Sequence, residues 1–196
     1  VNPVYDRDKA AAVAAKPTNK GMVDSYMLQN PHQLYEYHVW ANDRIFTHLE
    51  QLPKDVFHAQ VTSVFPSVSQ TFGHMYMYEQ LYMSVLAEVP NENIFPRIPD
   101  WTEEAQDTTV DEMRRLFACV AEQFRDLLRR TPDLDRAMTI GHPKYGRFDT
   151  HFSDILQHVV NHGTYHRGNV AAMLRQQGYT GVPTDYMFYL IERRDG

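Results

Sequence analysis

Three histidines at successive four-residue intervals, His158, His162 and His166, are the residues of this 196-residue chain whose type and spacing could do chemistry. Ten histidines scattered at random over that length would give about half of one such pair, by the arithmetic of chance motif matches; here two overlapping pairs occur. On an α-helix, residues four apart stand one above the other, so the three imidazoles form a single stripe. His158 and His166 are two turns apart, about 12 Å, so one ion can take His158 with His162 or His162 with His166, but not all three. A third ligand must come from another segment, and His74, one turn ahead of Tyr78 on the inward side of its own helix, is the best placed. Neutral imidazoles suit Zn²⁺, Ni²⁺ or Fe²⁺, and three protein ligands leave a position open to water or substrate, as a catalytic site requires. Spacing alone is equally compatible with hydrogen-bonded core or surface histidines that bind nothing.

Two familiar metal motifs are absent. His158 and His162 are followed by Val159 and Gly163, so the H-E-x-x-H of zinc peptidases, with its glutamate base, is missing. No Glu-x-x-His occurs in the chain, which leaves a ferritin-like di-iron site unsupported.

The elements that must position these residues are helical. After Asn30-Pro31, a cap and first-turn pair, Leu34, Tyr37, Ala41, Ile45, His48 and Leu52 recur at helical spacing up to Pro53. Ser67 with Gln70 forms a capping box for a second helix, in which Thr71, Met75, Tyr78, Tyr82 and Val85 share a face up to Pro90. Thr109 with Glu112 repeats that signature for a third helix, with Val110, Met113, Phe117, Val120, Phe124 and Leu127 as its apolar stripe. Thr150 is expected to cap a long fourth helix, which ends at Gly178. Between helices two and three, Asn91 to Thr108 carries Pro96, Pro99 and Trp101 and reads as a long crossover loop with Trp101 packed on the helices. Gly141-His142-Pro143-Lys144-Tyr145-Gly146 suggests a small hairpin or irregular loop before helix four, and Tyr186 to Arg193 a short strand or helical turn. The expected fold is therefore all-α, a four-helix bundle with a long crossover between helices two and three, and facing side chains of such bundles commonly hold metals.

Composition narrows the partners. A formal charge of −6 and no cluster of Lys and Arg long enough to track a phosphate backbone argue against nucleic acid. No apolar run of about 18 residues exists to span a membrane. The single cysteine, Cys119, fits a reducing compartment, so a cytoplasmic location is expected, with Cys119 itself a small buried hydrophobe. Residues 1–25, rich in Ala and Lys with no signal-peptide core, read as a flexible leader or extension, with Met22 a candidate native start, ahead of one domain over residues 26–196.

With these strings in view, the chain resembles the DinB/YfiT-like family of metal-binding four-helix proteins, over about Pro31 to Leu190. The likeness rests on Tyr37-His38-Val39-Trp40-Ala41-Asn42, on Ser69-Gln70-Thr71-Phe72-Gly73-His74, on Pro183-Thr184-Asp185 followed by Tyr189-Leu190, and above all on Asn161-His162-Gly163-Thr164-Tyr165-His166-Arg167-Gly168. The resemblance implies a metal triad of His74, His162 and His166, with His158 outside it. It also implies a small-molecule substrate and a low-molecular-weight thiol such as bacillithiol or mycothiol, since some members are thiol-dependent S-transferases and others mycothiol-dependent isomerases.

The expected chemistry is a metal-dependent transfer in which the ion's open position lowers the pKa of the thiol, and the thiolate attacks an electrophile. Hydrolysis by metal-bound hydroxide, or a non-catalytic metal-binding stress-response module with bundle faces serving as a dimer interface, are the alternatives. Arg167 is expected in a structural salt bridge, because one residue of helix turns it about 100° from His166. His158 is assigned to the core in preference to a hydrogen-bonding role beside the metal. Trp40 reads as a packed indole and Asn42 as a solvated or capping amide. Tyr76, Tyr78 and Tyr82 could line an apolar pocket but are assigned to the core, where a Met and aromatic stripe usually belongs.

Overall fold

The computed structural model describes residues 31–142 and 144–194. The leader assigned to residues 1–25 and the cap assigned to Asn30 lie outside the described residues. Over the described residues the chain is mostly helical with one small sheet. In order come α1 (Pro31–Leu49), α2 (Val68–Leu86), α3 (Asn91–Ile94), α4 (Ile98–Glu104), α5 (Val110–Arg130), the hairpin strands β1 (Ala137–His142) and β2 (Gly146–His151), α6 (Phe152–Gln176) and α7 (Tyr186–Glu192). Helices α1 and α2 each pack against both α5 and α6, so these four long helices enclose one core.

That core is set by helical periodicity. Phe46 of α1, Phe72 of α2 and Phe117 of α5 meet with ring centroids 4.5–5.7 Å apart, and Phe152, Val170 and Met173 of α6 are fully buried among the same group. Burying one such side chain is worth about 1.5–3 kcal/mol, so the aromatic cluster holds the helices at the separations on which the site depends. A smaller cluster of Leu34, Tyr37, Ala41, Val160 and Tyr189 joins α1 and α6 to α7. There Trp40 Nε1 donates to Glu192 and Tyr37 OH donates to the Thr184 carbonyl.

Several boundaries differ from the sequence reading. Helix α1 stops at Leu49 rather than Pro53, and a 3₁₀ turn, Lys54–Phe57, buries Val56 and Phe57 beyond it. The Ser67 hydroxyl accepts from the Gln70 amide. The Thr109–Glu112 box is complete. Thr150 does not cap α6: it is the fifth residue of β2, and His151 is the cap, boxed with Asp154, whose carboxylate also accepts from the Thr150 hydroxyl. The sequence placed the cap one residue early because the strand runs directly into the helix with no intervening loop. Gly178, at φ +88°, ends the helical path as expected.

The crossover is not an irregular loop. It contains α3, a 3₁₀ turn at Phe95–Arg97 and α4, because Pro96 and Pro99 fall in first turns, where their missing N–H groups cost nothing. Trp101 packs as expected, at 5 % exposure. The strands of the hairpin pair antiparallel from Ala137 opposite His151 to His142 opposite Gly146. Residues 186–192, left open between strand and helix, are helical. Cys119 lies exposed on α5, not buried: the inward face of that helix is carried by Met113, Phe117, Val120, Ala121 and Phe124, and position 119 falls outside their arc.

Candidate metal centre

Helices α2 and α6 pack together where the histidines lie. His162 Nε2 stands 3.2 Å from His74 Nε2 and 3.1 Å from His166 Nε2, and the three ligand atoms all fall within 4.8 Å of one another. Metal–nitrogen bonds of about 2.0–2.1 Å meeting at roughly 90–110° would separate ligand nitrogens by about 2.9–3.4 Å. The spacings around His162 match that requirement, so these residues could hold a metal ion. Of the two pairings that helical spacing leaves open, His74 meets the His162/His166 pair.

The environment keeps the rings neutral and in place. Burial pushes the pKa of His162 down to about 3, with the His166 and His74 charges adding, and that of His166 down to about 4, with His74 adding. Burial also lowers His74. Three desolvated imidazoles facing one another therefore offer lone pairs, not charges, at neutral pH. Phe65 packs on His74 and His166 at 4.6 and 5.6 Å, Tyr78 on His74 and His162 at 4.6 and 5.0 Å, and Tyr165 on His166 at 4.9 Å.

His158 is not in the core. It lies exposed one turn before His162, where its ring contacts Tyr82 at 4.7 Å and stacks on His162 at 5.9 Å. Its step along the stripe sets it against Tyr82 of α2, about two turns along that helix from His74.

On the other side of α6 lies a polar group that the sequence reading did not assemble. Arg167, 2 % exposed, donates through Nη1 to His38 Nδ1 (3.3 Å) and Asn42 Oδ1 (3.0 Å), and through Nη2 to Thr164 Oγ1 (2.8 Å) and Tyr37 OH (3.4 Å). A guanidinium only donates, so His38 Nδ1 accepts and its proton sits on Nε2, which donates to Glu79 Oε1 at 2.8 Å. The expected salt bridge is thus indirect: His38 links Arg167 to the buried carboxylate of Glu79. Burial lowers the pKa of Arg167, and Tyr37 and Glu79 oppose that shift. Asn42, expected in solvent or at a cap, is 3 % exposed and part of this network.

Gly163 is the sequence trace of this arrangement. A Cβ there would lie 2.3 Å from His38 Cε1 and 2.8 Å from Arg167 Nη1, so only glycine lets α1 approach α6 this closely. Glycine in a helix interior costs about 1 kcal/mol relative to alanine, which makes its presence between His162 and Thr164 a signal that something packs against it. Nothing comparable marks Glu79.

Two cavities flank the triad along α2. One, of about 560 Å³, includes His74 in its wall with Phe65, Gln70 and Met77. The other, of about 660 Å³, is bounded by Tyr78 and Tyr82, so these two line a pocket as well as packing on histidines. Tyr76 is buried, its hydroxyl donating to Glu104.

Taken together, a mostly helical chain with three convergent imidazoles between two packed helices defines a class of protein able to hold a metal ion at that point. Comparison with known proteins identifies the class: the model of the DinB family matches residues 27–195, and Protein DinB of Bacillus subtilis (strain 168) is 40 % identical over 158 residues, covering 81 % of this chain and 92 % of that relative. The chain belongs to the DinB family.

Proposed function

We propose that this protein is a four-helix-bundle metalloenzyme in which His74, His162 and His166 bind one divalent ion, Zn²⁺, Ni²⁺ or Fe²⁺, and which transfers a low-molecular-weight thiol such as bacillithiol to a small electrophile in the cytoplasm. The observation that carries this reading is the convergence of three neutral Nε2 atoms, with His162 at 3.2 and 3.1 Å from its partners. An ion with three imidazole ligands retains capacity for another donor, and when bound it lowers the pKa of a thiol there enough to supply thiolate at neutral pH.

The chain's own residues do the rest. Phe65 and Tyr78 fix the ring of His74 and limit water beside it. The Asn169 amide nitrogen lies 3.4 Å from His166 Nδ1 and helps to orient that ring. The Arg167–His38–Glu79 network fixes the position of α6 against α1, and with it the spacing of His162 and His166 from His74.

Metal analysis of purified protein, with thiol-conjugation assays on the same samples, tests the reading. Near-stoichiometric metal in the wild type, lost in His74→Ala and His162→Ala together with thiol-dependent turnover, is the expected result. Metal content unaffected by both substitutions removes the site. Metal with no thiol-dependent turnover by any electrophile removes the transferase and leaves a metal-binding module.

A further inference from the structure

The 660 Å³ cavity beside the triad is built from three separate segments: the outer face of α2, the crossover and the hairpin. From α2 come Tyr78, Tyr82 and Val85, from the crossover Phe95, and from the hairpin Ile140 and Phe148. Its volume is in the range of small-molecule sites, about 300–1,000 Å³, which are typically apolar with a few polar groups that orient the ligand. The charged residues lining it are Arg147, Glu92 and Glu88, the last paired with Arg136.

Two independent observations indicate that this space is kept for a ligand. First, it shares a wall with the candidate metal centre. Tyr78 lies against His74 and His162, so a molecule resting on Tyr78 is one ring's thickness from the triad, while Tyr82 lies against His158 beside it. Second, large apolar side chains are left in water at its margin: Val89 is 37 % exposed, Phe95 39 % and Phe148 46 %. Each costs hydration free energy, at about 25 cal/mol per Å² of apolar surface, which an apolar occupant would recover.

We infer that this cavity binds the electrophilic substrate, and that the substrate is an apolar, ring-bearing small molecule whose reactive carbon is presented past Tyr78 to the triad. This assignment rests on the thiol-transfer reading for the word substrate; the binding of an apolar ligand does not. With an aryl halide, the thiolate sulfur forms a bond to the ring carbon, the carbon–chlorine bond breaks with its electron pair leaving as chloride, and the thiol proton passes to solvent. Arg147 suits an anionic or nitro substituent at the outer end of the ring, and the tyrosine faces suit the ring itself.

The test uses the full-length protein, two cavity-filling variants, Val85→Trp and Ile140→Trp, and the probe 8-anilinonaphthalene-1-sulfonate, an apolar ring system with one anionic group. Circular dichroism and melting temperature establish that each variant is folded. Wild type and His74→Ala are expected to bind the probe alike, because the cavity does not require the metal, and each filled variant to bind it at least about tenfold more weakly. In bacillithiol conjugation, the ratio of kcat/KM for 1-chloro-2,4-dinitrobenzene to that for iodoacetamide, which is too small to need the cavity, is expected to fall at least about tenfold in the filled variants.

Undiminished probe binding in both folded variants overturns the cavity as an apolar site. Weakened binding with an unchanged kcat/KM ratio overturns its role as the substrate site. A wild type that conjugates neither electrophile, yet loses the probe in the filled variants, overturns the thiol-transfer reading and leaves the cavity standing.

Discussion

His162 and Arg167 lie about one and a half turns apart on the same helix, and the polar groups around them are organised in opposite ways. Around Arg167 most demands are met internally: its four terminal protons reach four acceptors, only its buried Nε lacks a partner, and His38 passes the electrostatic link on to Glu79. Around His162 three lone-pair donors face one another, and an imidazole Nε2 that carries at most one proton cannot satisfy both of its close neighbours. A closed network has its partners and serves the structure. An open one, held in place by packing, could hold a metal ion.

The largest test of that contrast removes one end of the closed network. Glu79→Gln or Arg167→Met should each cost about 3–5 kcal/mol in chemical denaturation, because either leaves a buried charge uncompensated, and the double variant should cost less than the two together. Additive losses would show that the two charges are not coupled through His38. At the open site the balance is reversed. His162→Ala should change the stability of metal-free protein by far less, while saturating metal should raise wild-type stability by about 2.7 kcal/mol at a hundredfold excess over Kd and leave the variant unmoved; calorimetry with and without Zn²⁺ reads both.

Gly163 lies at the border between the two regions. Alanine there should destabilise by about 1–3 kcal/mol, although alanine normally improves a helix, because its methyl group must displace the His38 ring. If Gly163→Ala is instead stabilising, the close approach of α1 to α6 is not as described.

The smallest effect belongs to a pair that is neither closed nor open. The Arg125 guanidinium hydrogen-bonds Glu36 at 2.8 and 2.7 Å and lowers its pKa from the ordinary 4.5. A carboxylate with a lowered folded pKa adds stability that is fully present above pH 4.5 and is lost as the pH falls through the folded value. Because the pair is partly exposed to solvent, Glu36→Gln should cost under about 1 kcal/mol at pH 7, and thermal melts should show the gap narrowing below pH 4.5.

The two regions were not equally legible in the sequence. The stripe of His158, His162 and His166 is a matter of 3.6 residues per turn, and a local rule exposes it. Likewise, Thr109 with Glu112 marks a helix start because the bonds involved close within four residues. His38 and Glu79 carry no such mark, since they sit 41 residues apart and become partners only when α1 and α2 are packed. Tyr78 and Tyr82 read as core because periodicity tells which face of a helix is apolar, not whether the space in front of it is filled.

What the sequence determined by itself was therefore local and compositional: the helices, most of their ends, a pair of histidines able to share an ion, and a motif string that places the chain in its family. The tertiary structure decided which pair meets His74, how Arg167 is neutralised at a distance by Glu79, and that the crossover and hairpin leave a cavity beside the triad. The division has a physical cause. Hydrogen bonding and side-chain spacing within a helix repeat with the backbone and can be read from a short window, whereas the distances between helices are set by the volumes of many core side chains at once, and no short stretch of residues contains that sum.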